Sequence, residues 1–222
     1  MNTFDLVMFD LVGTLVETGP EICDAVNDTL QRLGLPKVSQ QQVNDWIGHG
    51  TRELLVQALV FSGNMNEVKV RASGSMTQIA TEFNKHHKRR SGTRSQLYPQ
   101  VRETLTALRS RGVKLAVVTN KEARYTETVL ETHQLMPLVD WVVSGDTLPT
   151  KKPDPAGIES CLAQFGVPSH RALFVGDSSI DVATARTAGV TVWALPYGYN
   201  RGQPIQACAP DRVIANCSLL LN

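Results

Sequence analysis

Four short stretches of the chain carry residues suited to chemistry at a charged substrate. Asp10 closes the apolar run Leu6-Val7-Met8-Phe9, and Thr119-Asn120 closes Leu115-Ala116-Val117-Val118. Gly176-Asp177 closes Ala172-Leu173-Phe174-Val175, with Asp181 four residues on, and a Lys152-Pro153 turn precedes that run. Carboxylates act as nucleophiles and bind hard cations, hydroxyls and main-chain N–H groups hold oxyanions, and a lysine adds fixed positive charge. One aspartate after a strand is ordinarily a turn residue or a helix cap. Three such strand ends, far apart in sequence, point instead to a common crevice, because an open parallel sheet binds ligands at the carboxyl ends of its strands.

The elements that must position these residues follow from the rhythm of the chain. After Pro99, apolar runs alternate with helical patterns. A helix through Val101, Leu105 and Leu108 ends at Gly112, and others carry Val129-Leu130, Ile158-Leu162-Phe165 and Val182-Ala185-Ala188. Trp141-Val142-Val143, Val192-Trp193-Ala194-Leu195 and Val213-Ile214 add strands to those already named. Continuous apolar strands alternating with helices predict a Rossmann-like doubly wound parallel α/β sheet covered on both faces. Residues 16–91 break this rhythm. Pro20 at a helix start, with Ile22, Val26, Leu30 and Leu33 before Gly34, predicts one helix. Leu54, Leu55, Ala58 and Leu59 predict a second, and a polar helix is predicted from Asn66 to about Lys88. The predicted organisation is therefore a core of residues 1–15 and 92–222, with a helical cap of 16–91 inserted after the first strand.

Bulk properties narrow the function classes. The 222 residues are 42% hydrophobic and 19% charged, as in ordinary globular domains, and the formal net charge is +1. No overall field recruits nucleic acid or an anionic membrane, so selectivity for anions must be local. The opening MNTFDLVMFD has acidic residues inside its apolar run and reads as neither a secretory signal nor a membrane span. Cys23, Cys161, Cys208 and Cys217 have no metal-ligand spacing and read as reduced thiols, which predicts a cytoplasmic protein. Lys85-His86-His87-Lys88-Arg89-Arg90 is short, lacks interleaved aromatics and reads as a solvated helix end. Neither nucleic acid nor membrane is expected as partner, and the chain is expected to be a monomer or homodimer.

Asp10-Leu11-Val12-Gly13-Thr14, Val118-Thr119-Asn120, Lys152-Pro153-Asp154-Pro155 and Gly176-Asp177-Ser178-Ser179-Ile180-Asp181 resemble, in order, the four motifs of the haloacid dehalogenase superfamily. Within it, Trp46-Ile47-Gly48-His49-Gly50, Ser144-Gly145-Asp146-Thr147-Leu148-Pro149 and Tyr197-Gly198-Tyr199-Asn200 are most similar to the phosphoglycolate phosphatase family. The resemblance implies hydrolysis of 2-phosphoglycolate or a similar small phosphate monoester. Asp10 is then the nucleophile that forms an aspartyl-phosphate. It also implies a Mg²⁺ cofactor held by Asp10, Asp177 and the main-chain carbonyl of Val12. Asp181 stands beside them as a direct ligand, as a ligand through water, or as a residue that orients the others; alone, it reads equally as a solvated acid at a helix start. Val12, Gly13, Thr119, Asn120 and Lys152 surround the phosphate, with Gly48 and Arg52 contributed by the cap. Lys152 is chosen over Lys151 because it directly precedes the proline.

One position departs from the pattern. The superfamily's first motif normally reads D-x-D-G-T, and its second Asp protonates the leaving oxygen and later activates water. Val12 occupies that place and carries no proton. Acid–base catalysis of this kind contributes roughly 10²–10⁴-fold, so impaired turnover is predicted. Glu17 lies too far along the exit loop to substitute. Four alternatives fit the change: a silent phosphate-ester binding or regulatory protein, a haloacid dehalogenase, a phosphonoacetaldehyde hydrolase, or an active phosphatase altered at this one residue. The retained G-D-S-x-x-D pattern weakens the dehalogenase reading. Lys37, Lys69, Lys85 and Lys88 stand in no context that favours the phosphonoacetaldehyde hydrolase reading.

Overall fold

A computed structural model describes residues 4–222. They form two compact units: the residues up to Glu17 together with Gln96–Asn222, and Thr18–Ser95. In chain order the first unit opens with β1 (Leu6–Phe9), every residue of which is buried, and β2 (Val16–Glu17). The second unit is wholly helical: α1 (Gly19–Arg32), α2 (Gln40–Trp46), α3 (Thr51–Gly63), α4 (Glu67–Ala72) and α5 (Met76–Arg90). The chain then resumes the first unit with β3 (Gln96–Leu97), α6 (Val101–Ser110), β4 (Lys114–Val118), α7 (Ala123–Thr132) and β5 (Trp141–Val143). It ends with α8 (Ala156–Phe165), β6 (Ala172–Gly176), α9 (Ser179–Thr187), β7 (Thr191–Ala194) and β8 (Arg212–Val213).

In the first unit six strands make one parallel sheet in the order β5-β4-β1-β6-β7-β8. β1 is central because each of its four residues is apolar and can face a covered side of the sheet. Val7, Phe9, Leu115, Val117, Leu173 and Val175 join one hydrophobic cluster. Their neighbours Leu6, Met8, Ala116, Val118, Ala172 and Phe174 join the other. That alternation is the two-residue period of a strand. The register pairs Phe9 with Val117 on one side and with Val175 on the other. Three strands therefore end nearly level, and Asp10, Thr119 and Asp177 leave the sheet at one edge. A two-residue antiparallel pair, β2 with β3, joins the strands where the chain leaves and re-enters this unit. It is too short for any sequence periodicity to reveal.

The helical unit differs from the sequence expectation in two places. The predicted helix from Asn66 to Lys88 is two helices, α4 and α5, broken at Ser73-Gly74-Ser75. Glycine is a poor helix former, and the Ser73 hydroxyl accepts the Ser75 N–H at 3.2 Å, a local bond that competes with helical pairing. An additional helix, α2, is set by a capping box. Ser39 Oγ accepts from Gln42 N, and the Gln42 side chain accepts from Ser39 N. The basic run at the end of α5 is the solvent-exposed helix end expected, with Lys85, Lys88 and Arg89 exposed, although some of its members have partners. Lys85 pairs with Glu82 at 3.0 Å, Arg90 with Asp28 of α1 at 2.9 Å, and His87 is buried against Phe83. Among the described residues no helix is long and apolar enough to cross a membrane.

Arg71 joins α3 to α4. Its guanidinium takes both Glu53 oxygens at 2.7 and 2.8 Å and also reaches Glu67. Hydrogen bonds from Arg71 lower the Glu53 carboxyl from its ordinary 4.5 to about 2. A carboxylate whose folded-state pKa is depressed stabilises the fold above its unfolded value and loses that contribution as pH falls. Arg71→Met is therefore expected to unfold at lower temperature than the native chain above pH 4.5. The two proteins should converge as the pH approaches about 2, measured by helical circular dichroism over a pH series.

Candidate active site

Asp10 stands immediately past β1, its N–H donating to Val175 O at 2.9 Å, so the strand pairing itself fixes where its side chain starts. One carboxylate oxygen, Oδ1, is doubly held, by Leu11 N at 2.7 Å and Lys152 Nζ at 2.9 Å. The other, Oδ2, has no donor among the described residues, and the side chain keeps 13% exposure. The carboxylate is thus oriented through one oxygen and open through the other.

The residues after Asp10 fold into a tight main-chain turn. Leu11 O accepts from both Leu15 N and Val16 N, and Gly13 N donates to Val16 O. Gly13 has φ +88°, and a Cβ there would lie 2.4 Å from Asp177 Oδ2, so only glycine fits. Val12 is half-buried, packs against the apolar cluster on its face of the sheet, and contributes no polar side-chain atom.

Asp177 follows β6 and is almost fully buried. Thr14 Oγ1 donates to its Oδ1 at 2.5 Å, and Tyr199 N donates to its Oδ2 at 2.7 Å. Gly198 makes room for it, because a Cβ there would fall 2.1 Å from Oδ2. Thr14, Gly198 and the Tyr199 N–H are thus parts of the site to which the sequence reading gave no role. The G-Y dipeptide was visible, but a main-chain donor leaves no signature in residue type.

Asp181, in the first turn of α9, is 1% exposed and heavily bonded. Its Oδ2 accepts from Asp177 N (3.1 Å), Ser178 N (3.0 Å) and Ser178 Oγ (2.6 Å), completing a capping box. Its Oδ1 accepts from Lys152 Nζ at 2.7 Å. Gly176 lacks a Cβ where one would meet Asp181 Oδ2 at 2.6 Å. Lys152 is therefore clamped between Asp10 and Asp181, with its ammonium 5.5 Å from the centre of the Phe174 ring. Its neighbour Lys151 is exposed. The Lys152-Pro153 bond is cis, and Asn120 Nδ2 donates to Lys152 O at 2.9 Å, tying the β4 end to the lysine loop. Thr119 is buried beside it, its N–H on Val143 O and its Oγ1 accepting from Lys121 N at 3.3 Å.

Of the predicted residues, Asp10, Asp177 and Asp181 come together, each offering an oxygen within 4.8 Å of the others. Lys152 joins them through Asp10 and Asp181, and Asn120 through Lys152. Gly48 and Arg52 belong to the helical unit: Gly48 has φ +119°, and exposed Arg52 donates to Arg71 O at 3.1 Å.

The electrostatics are those of a cation site. Burial pushes the Asp177 carboxyl well above the ordinary carboxylate range, and Asp181 and Asp10 add to that. Burial raises Asp10 too, with Lys152 opposing. Burial alone would lower Lys152, but Asp10 and Asp181 outweigh it and hold the ammonium protonated. Two buried carboxyls and the part-exposed Asp10 share one lysine, and such a set either takes up protons or is matched by a hard divalent cation with oxygen ligands. The remaining lone pairs of the Asp10 carboxylate and of Asp177 are the donors available to it; the oxygens of Asp181 are already engaged.

Comparison with known proteins agrees with this architecture. The model of the haloacid dehalogenase-like hydrolase family matches residues 7–195. The chain is 38% identical over 222 residues to a phosphoglycolate phosphatase of Haemophilus influenzae (strain 86-028NP), covering 100% of this chain and 99% of that protein. It is 39% identical over 217 residues to a phosphoglycolate phosphatase of Pseudomonas fluorescens (strain Pf-5), covering 97% of this chain and 78% of that protein. A crystal structure described as a predicted phosphoglycolate phosphatase from Haemophilus somnus 129pt superposes with a TM-score of 0.92 at 33% identity. It covers 98% of this chain and 96% of that one.

Two substitutions test the electrostatic and steric arrangement. Lys152→Met, without divalent cation, leaves the carboxylates unpaired and is expected to cost about 3–5 kcal/mol at neutral pH, read from denaturant unfolding. Asp177 and Asp10 have native pKa values above their unfolded ones, so protonation favours the folded chain. The deficit should therefore shrink as pH falls toward 3.8 and grow as it rises. Gly198→Ala is expected to displace Asp177 and abolish Mg²⁺ binding measured by titration calorimetry.

Proposed function

The chain belongs to the haloacid dehalogenase-like hydrolase family, and from that premise we propose that it is a phosphatase for 2-phosphoglycolate or a similarly small phosphate monoester. The observation that carries the reading is Asp10, anchored through Oδ1 and open through Oδ2, beside a buried lysine and two further carboxylates. The substrate rests on relatives described as phosphoglycolate phosphatases along nearly the whole chain.

Asp10 Oδ2 attacks phosphorus and forms an aspartyl-phosphate, dividing one difficult hydrolysis into two displacements. Anchoring Oδ1 restricts the carboxylate to one orientation, which is how a fixed nucleophile gains over one free in solution. The Thr119 hydroxyl and the Asn120 main-chain N–H are assigned to the phosphate oxygens, with Gly13 leaving space at the turn. Lys152 supplies a preorganised positive charge beside the transferring group, in a setting where little reorganisation is needed. Asp10, Asp177 and the Val12 carbonyl are assigned to hold Mg²⁺, which when bound offsets the repulsion between carboxylates and phosphate. Asp181 acts as a positioning residue: it fixes the Gly176–Ser178 turn with one oxygen and Lys152 with the other. The helical unit is assigned the substrate-selecting role of a cap, with Gly48 and Arg52 as its recognition residues.

Val12 is the weak point of this machine. The residue two past the nucleophile has only hydrocarbon to offer, so turnover is reduced by the roughly 10²–10⁴-fold that positioned acid–base catalysis supplies. Val12→Asp is expected to raise kcat on 2-phosphoglycolate by about that factor, in the presence of Mg²⁺ only. No gain, with Mg²⁺ binding intact, would count against a slowed phosphatase and for a silent phosphate-ester binder.

A further inference from the structure

If Asp10 is the nucleophile, the protons of the reaction have no evident carrier among the described residues of the first unit; the Tyr98 and Tyr199 side chains near Asp177 hydrogen-bond each other. Lys152 already donates to Asp10 and Asp181. The Thr14 hydroxyl donates to Asp177, whose other oxygen is taken by Tyr199 N. Asp181 accepts four hydrogen bonds. Leu11, Val12 and Leu15 offer only hydrocarbon. His170 sits in the turn that enters β6, at the sheet edge opposite Asp10, and His133 follows α7 on the way back to the start of β5. Asp146 caps the first turn of α7 at Ala123 N, and Asp154 accepts from Ala156 N at the start of α8.

The two half-reactions differ in what this costs. In the first, the Asp10 Oδ2–P bond forms, the bond from phosphorus to the leaving oxygen breaks, and the electron pair leaves with that oxygen. An alkoxide is about as basic as hydroxide, whose conjugate acid has a pKa near 15.7, and leaves poorly without a proton. A carboxylate or phenolate, with conjugate-acid pKa values near 4 and 10, leaves as the anion and needs none. In the second, a water oxygen bonds to phosphorus, the Asp10 Oδ2–P bond breaks, and a water proton must be lost. No choice of substrate relieves that step, because the donor has already gone.

We propose that this chain takes phosphoryl groups preferentially from donors with acidic leaving groups, acyl and aryl phosphates, and retains them on Asp10 as a long-lived aspartyl-phosphate. The proposal rests on the nucleophile reading given above and names the substrate class of that same site. It turns the site from a multiple-turnover phosphatase into a phosphoryl acceptor whose loaded state persists.

The test uses the full chain with Mg²⁺, offered acetyl phosphate, aryl phosphates of graded leaving-group acidity, and 2-phosphoglycolate. Intact-mass spectrometry reads the adduct and rapid quench reads the transfer rate. The native chain should show a steep dependence of transfer on leaving-group acidity and an adduct approaching one phosphoryl group per chain, absent in Asp10→Asn. In Val12→Asp the dependence should flatten. The preference for acetyl phosphate over 2-phosphoglycolate should fall by about 10²–10⁴-fold, the range of positioned acid–base catalysis. Glu17→Gln should leave the native pattern unchanged; loss of turnover there would reveal a substitute base and overturn the proposal. Equal leaving-group dependence in the native chain and an active Val12→Asp would overturn this inference alone. Native turnover of acetyl phosphate without adduct would do so even if the Val12 variant failed to fold. Absence of both adduct and turnover in every protein would overturn the nucleophile reading itself.

Discussion

A single buried ammonium holds the centre of this protein together. Lys152 donates to Asp10 and to Asp181, and those carboxylates stand beside Asp177 with little water to screen them. Removing charges from water costs several kcal/mol each, so such a cluster persists only where geometry and hydrogen bonds are good. Both conditions are met here by main-chain donors. Leu11 N holds Asp10, Tyr199 N holds Asp177, and Asp177 N with Ser178 N holds Asp181. The lysine supplies attraction, and the backbone fixes where each carboxylate sits.

That arrangement depends on the sheet more than on any one loop. Asp10, Thr119 and Asp177 come level because β1 is paired in register with β4 and β6, and that register is set by alternating burial in two apolar clusters. A slip of one residue would exchange the two faces of β1 and aim Asp10 away from the others. Close packing then leaves no room for side chains at Gly13, Gly176 and Gly198, where a Cβ would strike a carboxylate. The glycines are thus a consequence of gathering three acids in one place.

The sequence made part of this legible. Asp10, Thr119 and Asp177 could be found because fully apolar runs stop abruptly at them, and Lys152 because it precedes a proline between two such runs. The parallel sheet followed from the same runs, which lack the polar alternation of a half-exposed strand. What stayed hidden was whatever depends on the backbone. The Tyr199 N–H could be any residue's N–H, and β2 with β3 is two residues long. The break before α5 and the start of α2 belong to another class. Ser73-Gly74-Ser75 and the Ser39–Gln42 capping box are recognisable punctuation to which the sequence reading gave no weight.

Residue 12 occupies a position where geometry and chemistry separate. The turn around it is held by main-chain bonds among Leu11, Gly13, Leu15 and Val16, none of which uses the side chain of residue 12. That side chain instead packs against the apolar cluster, where valine is at no disadvantage. The cluster of acids and the lysine need no help from this position to assemble. On the function proposed above, binding at the site and turnover by the site rest on different residues, and only the second calls on the side chain of residue 12.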